Sequence, residues 1–146
     1  MEQLQESTRR AHEVPSLVRF GSLDTPVGQL FVGLTELGVC DVTFGRFMKL
    51  AYRQVLLSRF RDVQRDDSAL SEVITQLSAY FKGERRSFSV PVDLRAVTPF
   101  TARVLRETRM IKFGCLTYYG QLATRLGNSG ASRAVGSALG RNPVPI

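Results

Sequence analysis

Between Thr98 and Arg141, short apolar-striped runs alternate with glycine-bearing breaks, and this punctuation restricts the fold more than any other feature of the chain. Thr98-Pro99 reads as a helix cap followed by proline in the first turn, where a missing N–H costs nothing. Phe100, Val104, Thr108 and Ile111 then recur at helical spacing until Phe113-Gly114 breaks the run. Residues 119–126 form a second helix with Leu122, Ala123 and Leu126 on one face and Thr117 as its cap. Gly127 to Gly130 is a tight turn, and residues 131–141 form a third helix. Helix, break, short helix, glycine turn and helix together outline a helix-turn-helix.

The third helix is the informative one. On a wheel of about 100° per residue, Ala131, Ala134, Val135, Ala138 and Leu139 gather on the side that faces a core. Arg133, Gly136, Ser137 and Gly140 gather on the other. An ordinary solvated face carries Glu, Lys or Gln, because glycine costs roughly 1 kcal/mol per helical position. One arginine among residues with almost no side chain suits the close approach of something large, flat and anionic. The alternative is that the glycines are merely tolerated or assist a bend. The charge balance points the same way: 20 Lys+Arg against 13 Asp+Glu give a formal charge of +7 and a pI near 10.1. A surplus of that size favours polyanions, although a well-solvated basic surface would produce it equally.

Upstream the pattern changes. Residues 17–20, 29–34 and 39–44 are β-rich, and Thr25-Pro26-Val27-Gly28 and Glu36-Leu37-Gly38 punctuate them as turns, which predicts an antiparallel meander. Residues 47–60 carry Phe47, Leu50, Ala51 and Val55 at helical spacing, and the polar run 61–67 ends that helix. Residues 69–82 form a clearer helix, with a stripe of Leu70, Val73, Ile74, Leu77 and Phe81, Ser68 as N-cap and Gly83 as C-cap. Residues 84–96 connect the two halves and hold a short extended piece around 88–92. The expected organisation is a loose leader over 1–14, an α/β domain over 15–95 and a DNA-binding helical module over 96–146. With 43% hydrophobic and 23% charged residues the composition is that of an ordinary globular chain. No apolar run approaches the roughly 18 residues of a membrane helix, and residues 1–13 hold no apolar signal core. A soluble, cytoplasmic protein is expected, without a membrane partner. Cys40, Cys115 and His12 are too few and too scattered for a disulfide framework, a four-ligand zinc site or a hydrolytic relay. No metal is expected.

Three stretches, taken in order and spacing, resemble the methylated-DNA–protein-cysteine methyltransferases. They are Tyr119-Gly120-Gln121-Leu122-Ala123, then Ala131-Ser132-Arg133-Ala134-Val135-Gly136-Ser137-Ala138, then Asn142-Pro143-Val144-Pro145-Ile146. The run 77–88 is similar to the stretch before that family's DNA-binding module, and residues 25–28 and 38–45 resemble its N-terminal strands. The resemblance implies an α+β fold: a small ribonuclease H-like sheet with helices, followed by an all-helical winged-helix or helix-turn-helix module. It implies repair of O6-alkylguanine in double-stranded DNA by a monomer that moves the alkyl group to a cysteine, with no cofactor. It further implies a minor-groove interface of Tyr119, Ala131, Arg133, Gly136 and Ser137. In that reading Arg133 takes the place of the extruded guanine, and Tyr119 presses on the neighbouring phosphate to rotate the nucleotide out. A buried core tyrosine is the competing reading of Tyr119, which is in register with Leu122 and Leu126, and Tyr118 is the competing residue. A phosphate contact competes for Arg133. Asn142 resembles the hinge asparagine that ties the turn to the reactive loop, or is a simple turn residue ahead of proline.

The sequence departs from the family in two respects. Lys112 stands where family members place proline. The Pro-Cys-His-Arg motif is absent, and family spacing puts the acceptor cysteine a few residues past Ile146, so the activating histidine and glutamate are also not among these residues. No catalytic residue is therefore assigned within the 146, and DNA binding without transfer is expected of them. Two other readings compete with the repair enzyme. One is an alkyltransferase-like damage sensor. The other is a helix-turn-helix regulator, which would need Gln, Asn, Arg or Lys clustered on the outer face of the third helix.

Overall fold

A computed structural model describes residues 17–45 and 49–146. The leader over 1–14, His12 and Phe47 lie outside the described residues, as does the side chain of Leu50. The chain divides into two compact units, one running to Ala96 and including Pro143–Ile146, the other Val97–Asn142. Residues 143–146, which the sequence places in the helical module, pack with the first unit.

In that first unit β1 (Leu17–Thr25), β2 (Gly28–Thr35) and β3 (Gly38–Phe44) form the expected antiparallel meander. Gly38 turns the chain at φ 139°, where a Cβ would lie 2.3 Å from the carbonyl oxygen of Pro91, so both conformation and space demand glycine. The polar run 61–67 reads as a helix end, yet β4 (Asp62–Arg65) pairs parallel to β1 and completes a sheet of order β3-β2-β1-β4. Of its four residues only Val63 is buried. The backbone of β1, a distant partner, makes it a strand, and no alternation of side chains advertises it.

Two helices cover the two faces. α1 (Lys49–Leu57) presents Tyr52 and Leu56, with Phe60 beyond it, to Val18, Phe20, Phe31 and Cys40. Val55, placed on the apolar stripe by spacing, is 44% exposed. The stripe that wins is Tyr52-Leu56-Phe60, which holds the larger apolar area. α2 (Ser71–Phe81) packs Val73 and Leu77 against Leu30, Val32, Val39 and Val42. Ser68 does not cap α2. The carboxylate of Asp66 instead accepts from the Ser68 hydroxyl (2.7 Å) and the Ala69 amide (3.0 Å), organising the turn before the helix. Gly83 does end α2, at φ 78°. Its N–H donates to Tyr80 O and that of Glu84 to Ala79 O, at 3.0 and 2.9 Å, which satisfies two terminal carbonyls.

The outer edge of β3 is closed by two returning segments. Val39 donates to Pro91 O (2.9 Å) and accepts from the Asp93 amide (2.8 Å), while Val42 donates to Pro143 O (2.7 Å). Val144 packs against the α2-side core. Within β3 the register shifts opposite Gly33/Leu34, leaving Cys40 between the residues paired with them. This bulge turns both Cys40 and Asp41 toward α1. Asp41 is 4% exposed, and its carboxylate accepts from Tyr52 Oη (2.8 Å), Thr43 Oγ1 (2.9 Å) and the Arg59 guanidinium. Burial, reinforced by Asp41, pushes the Tyr52 phenol far above its ordinary range, so it stays a neutral donor.

Asp93 anchors a second buried polar group. It accepts from Thr35 Oγ1 (2.7 Å), the Arg95 amide (3.0 Å) and the Arg95 guanidinium (2.7 Å), which also reaches Glu36 (2.6 Å). Burial alone would raise the Asp93 carboxyl. The hydrogen bonds from Arg95 and Thr35 outweigh it and hold the group below the usual carboxylate range. A carboxyl depressed in the folded state stabilises fully above its unfolded pKa and loses that contribution as pH falls through the folded one. Asp93→Asn is therefore expected to lower the urea midpoint clearly at pH 7 and much less near pH 3. Equal losses at both values would show that the charge is not what matters.

Candidate nucleic-acid interface

The second unit contains α3 (Pro99–Arg109), α4 (Tyr119–Arg125), a 3-10 turn (Ser129–Ala131) and α5 (Ser132–Leu139). They close over Val104, Leu122, Ala123, Val135 and Ala138. Thr98 caps α3, accepting from the Thr101 amide at 3.2 Å. α3 buries Thr101, Ala102, Val104 and Leu105, whereas Phe100 is partly exposed. The burying face is thus rotated from the Phe100-Val104-Thr108 line toward Leu105. Tyr118, without a side-chain bond, occupies the cap position of α4, and the Thr117 hydroxyl sits 2.8 Å from Gln121 Oε1. Thr117 is therefore no N-cap: its hydroxyl donates to that side-chain oxygen, and it stands one residue before the cap position.

α4 ends as α2 does. Gly127, at φ 82°, donates to Thr124 O, and Asn128 donates to Ala123 O at 3.0 Å. Asn128 Oδ1 then accepts from the Gly130 amide at 3.2 Å, which shapes the turn into α5. Leu126 O, a further C-terminal carbonyl, accepts from the Arg103 guanidinium at 3.1 Å.

α5 buries Val135 and Ala138 and half-buries Leu139, and Ala131, in the turn just before it, is half-buried as well. Arg133, Ser137 and Gly140 are exposed. Ala134, assigned to the core side, is exposed as well: it stands at the margin of the apolar arc, and no neighbouring element covers it. The outer face is therefore even more stripped of side chains than the wheel suggests. Arg133 projects from it without a hydrogen bond or ion pair to another described residue.

Tyr119 is 54% exposed, so it is not a core tyrosine. Its ring lies on Gly136, where a Cβ would come within 3.0 Å of Cε2 and 3.1 Å of Cδ2. Gly136 is thus small in the first place for the sake of Tyr119. Gly140 is different, since a Cβ there would meet only the preceding turn of its own helix, at 3.5 Å or more. Gly136→Ala is expected to raise the melting temperature in a Tyr119→Ala background, where the helix gains about 1 kcal/mol. With Tyr119 present the gain should shrink or reverse. A double-mutant cycle reads the difference, and additive effects would dismiss the ring–glycine contact.

The remaining expected residues are placed as follows. Ser137 accepts, through its carbonyl at 3.3 Å and its hydroxyl at 3.0 Å, from the guanidinium of Arg141. Asn142 is half-buried, donates from its backbone to Leu139 O (3.1 Å), and is the last residue of the unit before Pro143 joins the sheet edge. The latch of Arg141 onto Ser137 has only the one-turn spacing of the pair as its signal in the sequence.

Neither cysteine is set up as a nucleophile. Burial first, then the nearby Asp41 and Asp93 charges, push the Cys40 thiol up to about 12. Cys115 is exposed, and the described residues include no histidine to serve it as a base. No described helix is long and apolar enough to cross a membrane.

An α/β unit followed along the chain by a three-helix unit, with an arginine on a bare helix face, points to a two-domain DNA-handling class, and comparison with known proteins agrees. The 6-O-methylguanine DNA methyltransferase ribonuclease-like domain matches residues 18–94, and the DNA binding domain of the same name matches residues 99–146. The Mycobacterium bovis methylated-DNA–protein-cysteine methyltransferase is 34% identical over 135 residues, covering 89% of this chain and 74% of that protein. The Archaeoglobus fulgidus protein of the same name is 43% identical over 79 residues, covering 54% of this chain and 52% of that one. Among solved structures, the Mycobacterium tuberculosis O6-methylguanine methyltransferase superposes with a TM-score of 0.72 at 33% identity, over 86% of this chain and 72% of that one. Mycobacterium tuberculosis OGT in complex with DNA superposes equally well, over 88% and 73%. The chain belongs to the methylated-DNA–protein-cysteine methyltransferase family.

Proposed function

We propose that these residues grip double-stranded DNA carrying O6-alkylguanine from the minor groove, as a monomer, and turn the damaged base out for direct reversal. The observation that carries this reading is the outer face of α5. Arg133 is the one arginine within α5, on a surface of Ala134, Ser137 and Gly140, with the exposed Tyr119 ring laid on Gly136 beside it. A helix so bare seats deeply against a duplex, while the one long cation enters the stack and partly offsets the few kcal/mol lost when a base leaves it. Tyr119, and not Tyr118, is the residue assigned to press on the adjacent phosphate, because its ring is held against α5. Ala131, at the start of α5, borders the same approach. Asn142 acts as the hinge, where the chain leaves the helical unit for the edge of β3.

The chemistry of the family is displacement at the alkyl carbon by a cysteine thiolate, with restored guanine as leaving group. Cys40 and Cys115 are not placed for it, and the role assigned to α4 and α5 is binding and extrusion. A regulator reading the major groove is disfavoured by the same face, which within the eight residues of α5 offers base edges a single arginine.

Fluorescence anisotropy with a duplex carrying one O6-methylguanine tests the reading. Tighter binding than to the unmodified duplex is expected, with affinity falling steeply with salt and lost when a minor-groove ligand occupies the site. Binding that survives minor-groove occupation but fails when the major groove is blocked would establish the regulator instead.

A further inference from the structure

We infer that Arg141 is a second DNA contact, a phosphate clamp held ready by Ser137, and that Ser137 acts through Arg141 and not by touching DNA itself. The inference rests on the minor-groove reading of α5. Arg133, Ser137 and Arg141 are spaced by one helical turn each, so they form a single row along the outer face. Past Leu139 the chain tightens into a right-handed turn that carries the row on: Gly140 has φ −64° and ψ −15°, and Arg141 donates from its backbone three residues back, to Ala138 O at 3.2 Å. At a rise of about 1.5 Å per residue, the two arginines stand roughly 12 Å apart along the axis. If one enters the groove, the other is carried to the flanking backbone.

The side chain of Arg141 is already fixed. Nε donates to Ser137 O at 3.3 Å and Nη2 to Ser137 Oγ at 3.0 Å. A guanidinium has five N–H donors in a planar fork, so two such bonds leave three facing outward, enough for a bidentate grip on phosphate. Fixing the fork in advance removes much of the rotamer freedom that a loose arginine loses on binding. No acidic partner neutralises it: Arg141 forms no ion pair with a described residue. Gly140 assists, because its Cβ would meet nothing but its own helix, and its bareness keeps the row open between Ser137 and the next turn. The competing account is local: a cation at a helix C-terminus satisfies carbonyls and complements the dipole whether or not DNA is present.

The two accounts separate in the salt dependence of binding. Using the whole 146-residue chain and an unmodified duplex oligonucleotide, anisotropy is read across a salt series for wild type, Arg141→Ala, Arg141→Lys and Ser137→Ala. Loss of one phosphate contact lowers the magnitude of the log–log slope by about 0.9. Arg141→Ala is expected to show that change with roughly a three- to tenfold weaker affinity at moderate salt. Arg141→Lys should restore the slope, and Ser137→Ala should keep the slope while weakening binding only slightly. Melting temperatures identify any variant weakened by loss of fold. An unchanged slope in Arg141→Ala, with binding retained, would overturn the inference and leave Arg141 as a helix end-cap. Failure of the wild-type chain to bind any duplex would overturn the minor-groove reading and this inference together.

Discussion

Replacing Arg133 with alanine is expected to leave the fold intact and to reduce extrusion of the target base by on the order of tenfold or more. The side chain is exposed and makes no bond to a described neighbour, so its removal opens no cavity and strands no partner. What disappears is the group that occupies the gap in the stack, and part of the few kcal/mol of lost stacking then goes uncompensated. A fluorescent base analogue at the target position reads the flipped fraction directly. Arg133→Lys separates charge from shape. It should recover the salt slope of binding but not the flipped signal, because an ammonium lacks the planar face that stacks against bases. If lysine restored both, Arg133 would be a phosphate contact and the insertion role would be wrong.

The largest effect on stability is expected from Asp41→Ala, at about 3 kcal/mol or more, the scale for breaking a buried ion pair. The substitution leaves Tyr52 Oη and the Arg59 guanidinium without their acceptor, in a site where Tyr52 is 1% exposed. Tyr52 also stacks on Phe31 at 5.0 Å and meets Phe20 edge-on at 5.9 Å, so a phenol that shifts to find another partner disturbs the α1-side core. Arg59 remains partly in solvent and recovers some hydration, which limits the loss. Tyr52→Phe is the milder control, at about 1 kcal/mol, since Asp41 keeps Thr43 and Arg59. Urea midpoints order the three proteins. A loss below about 1 kcal/mol for Asp41→Ala would show that water replaces the carboxylate at little cost.

Much of this was legible from the chain itself, and the reasons are local. The meander follows from strand alternation and from turns built on Gly28 and Gly38. α2 and α3 follow from apolar spacing and from ends that use Gly83 and Thr98. The exposed arginine on a bare face followed from the wheel alone. What stayed hidden depends on partners far along the chain. β4 is a strand because β1 lies beside it, and the rotated stripe of α3 is fixed by the core it meets. The aspartates 41 and 93 look like surface charges until the fold brings Tyr52 and Thr35 to them. Tyr119 fits a core or an exposed environment equally well by spacing, and its exposure in the fold separates the two.

The return of Pro143 to the edge of β3 sets a timetable for synthesis. The first unit is discontinuous: it lacks its closing segment until the whole of Val97–Asn142 has been made. At ribosomal speeds of about 5–20 residues per second, that interval is roughly 2–10 seconds. Throughout it, the Val42 amide on an outer strand lacks its protein acceptor, and a nascent chain with an open edge is a template for pairing with its neighbours. The helical unit, whose contacts are nearer in sequence, can mature first and deliver the closing segment already attached to a finished helix. The order of completion would then run against the order of translation, with the earlier-made sheet the last to be sealed.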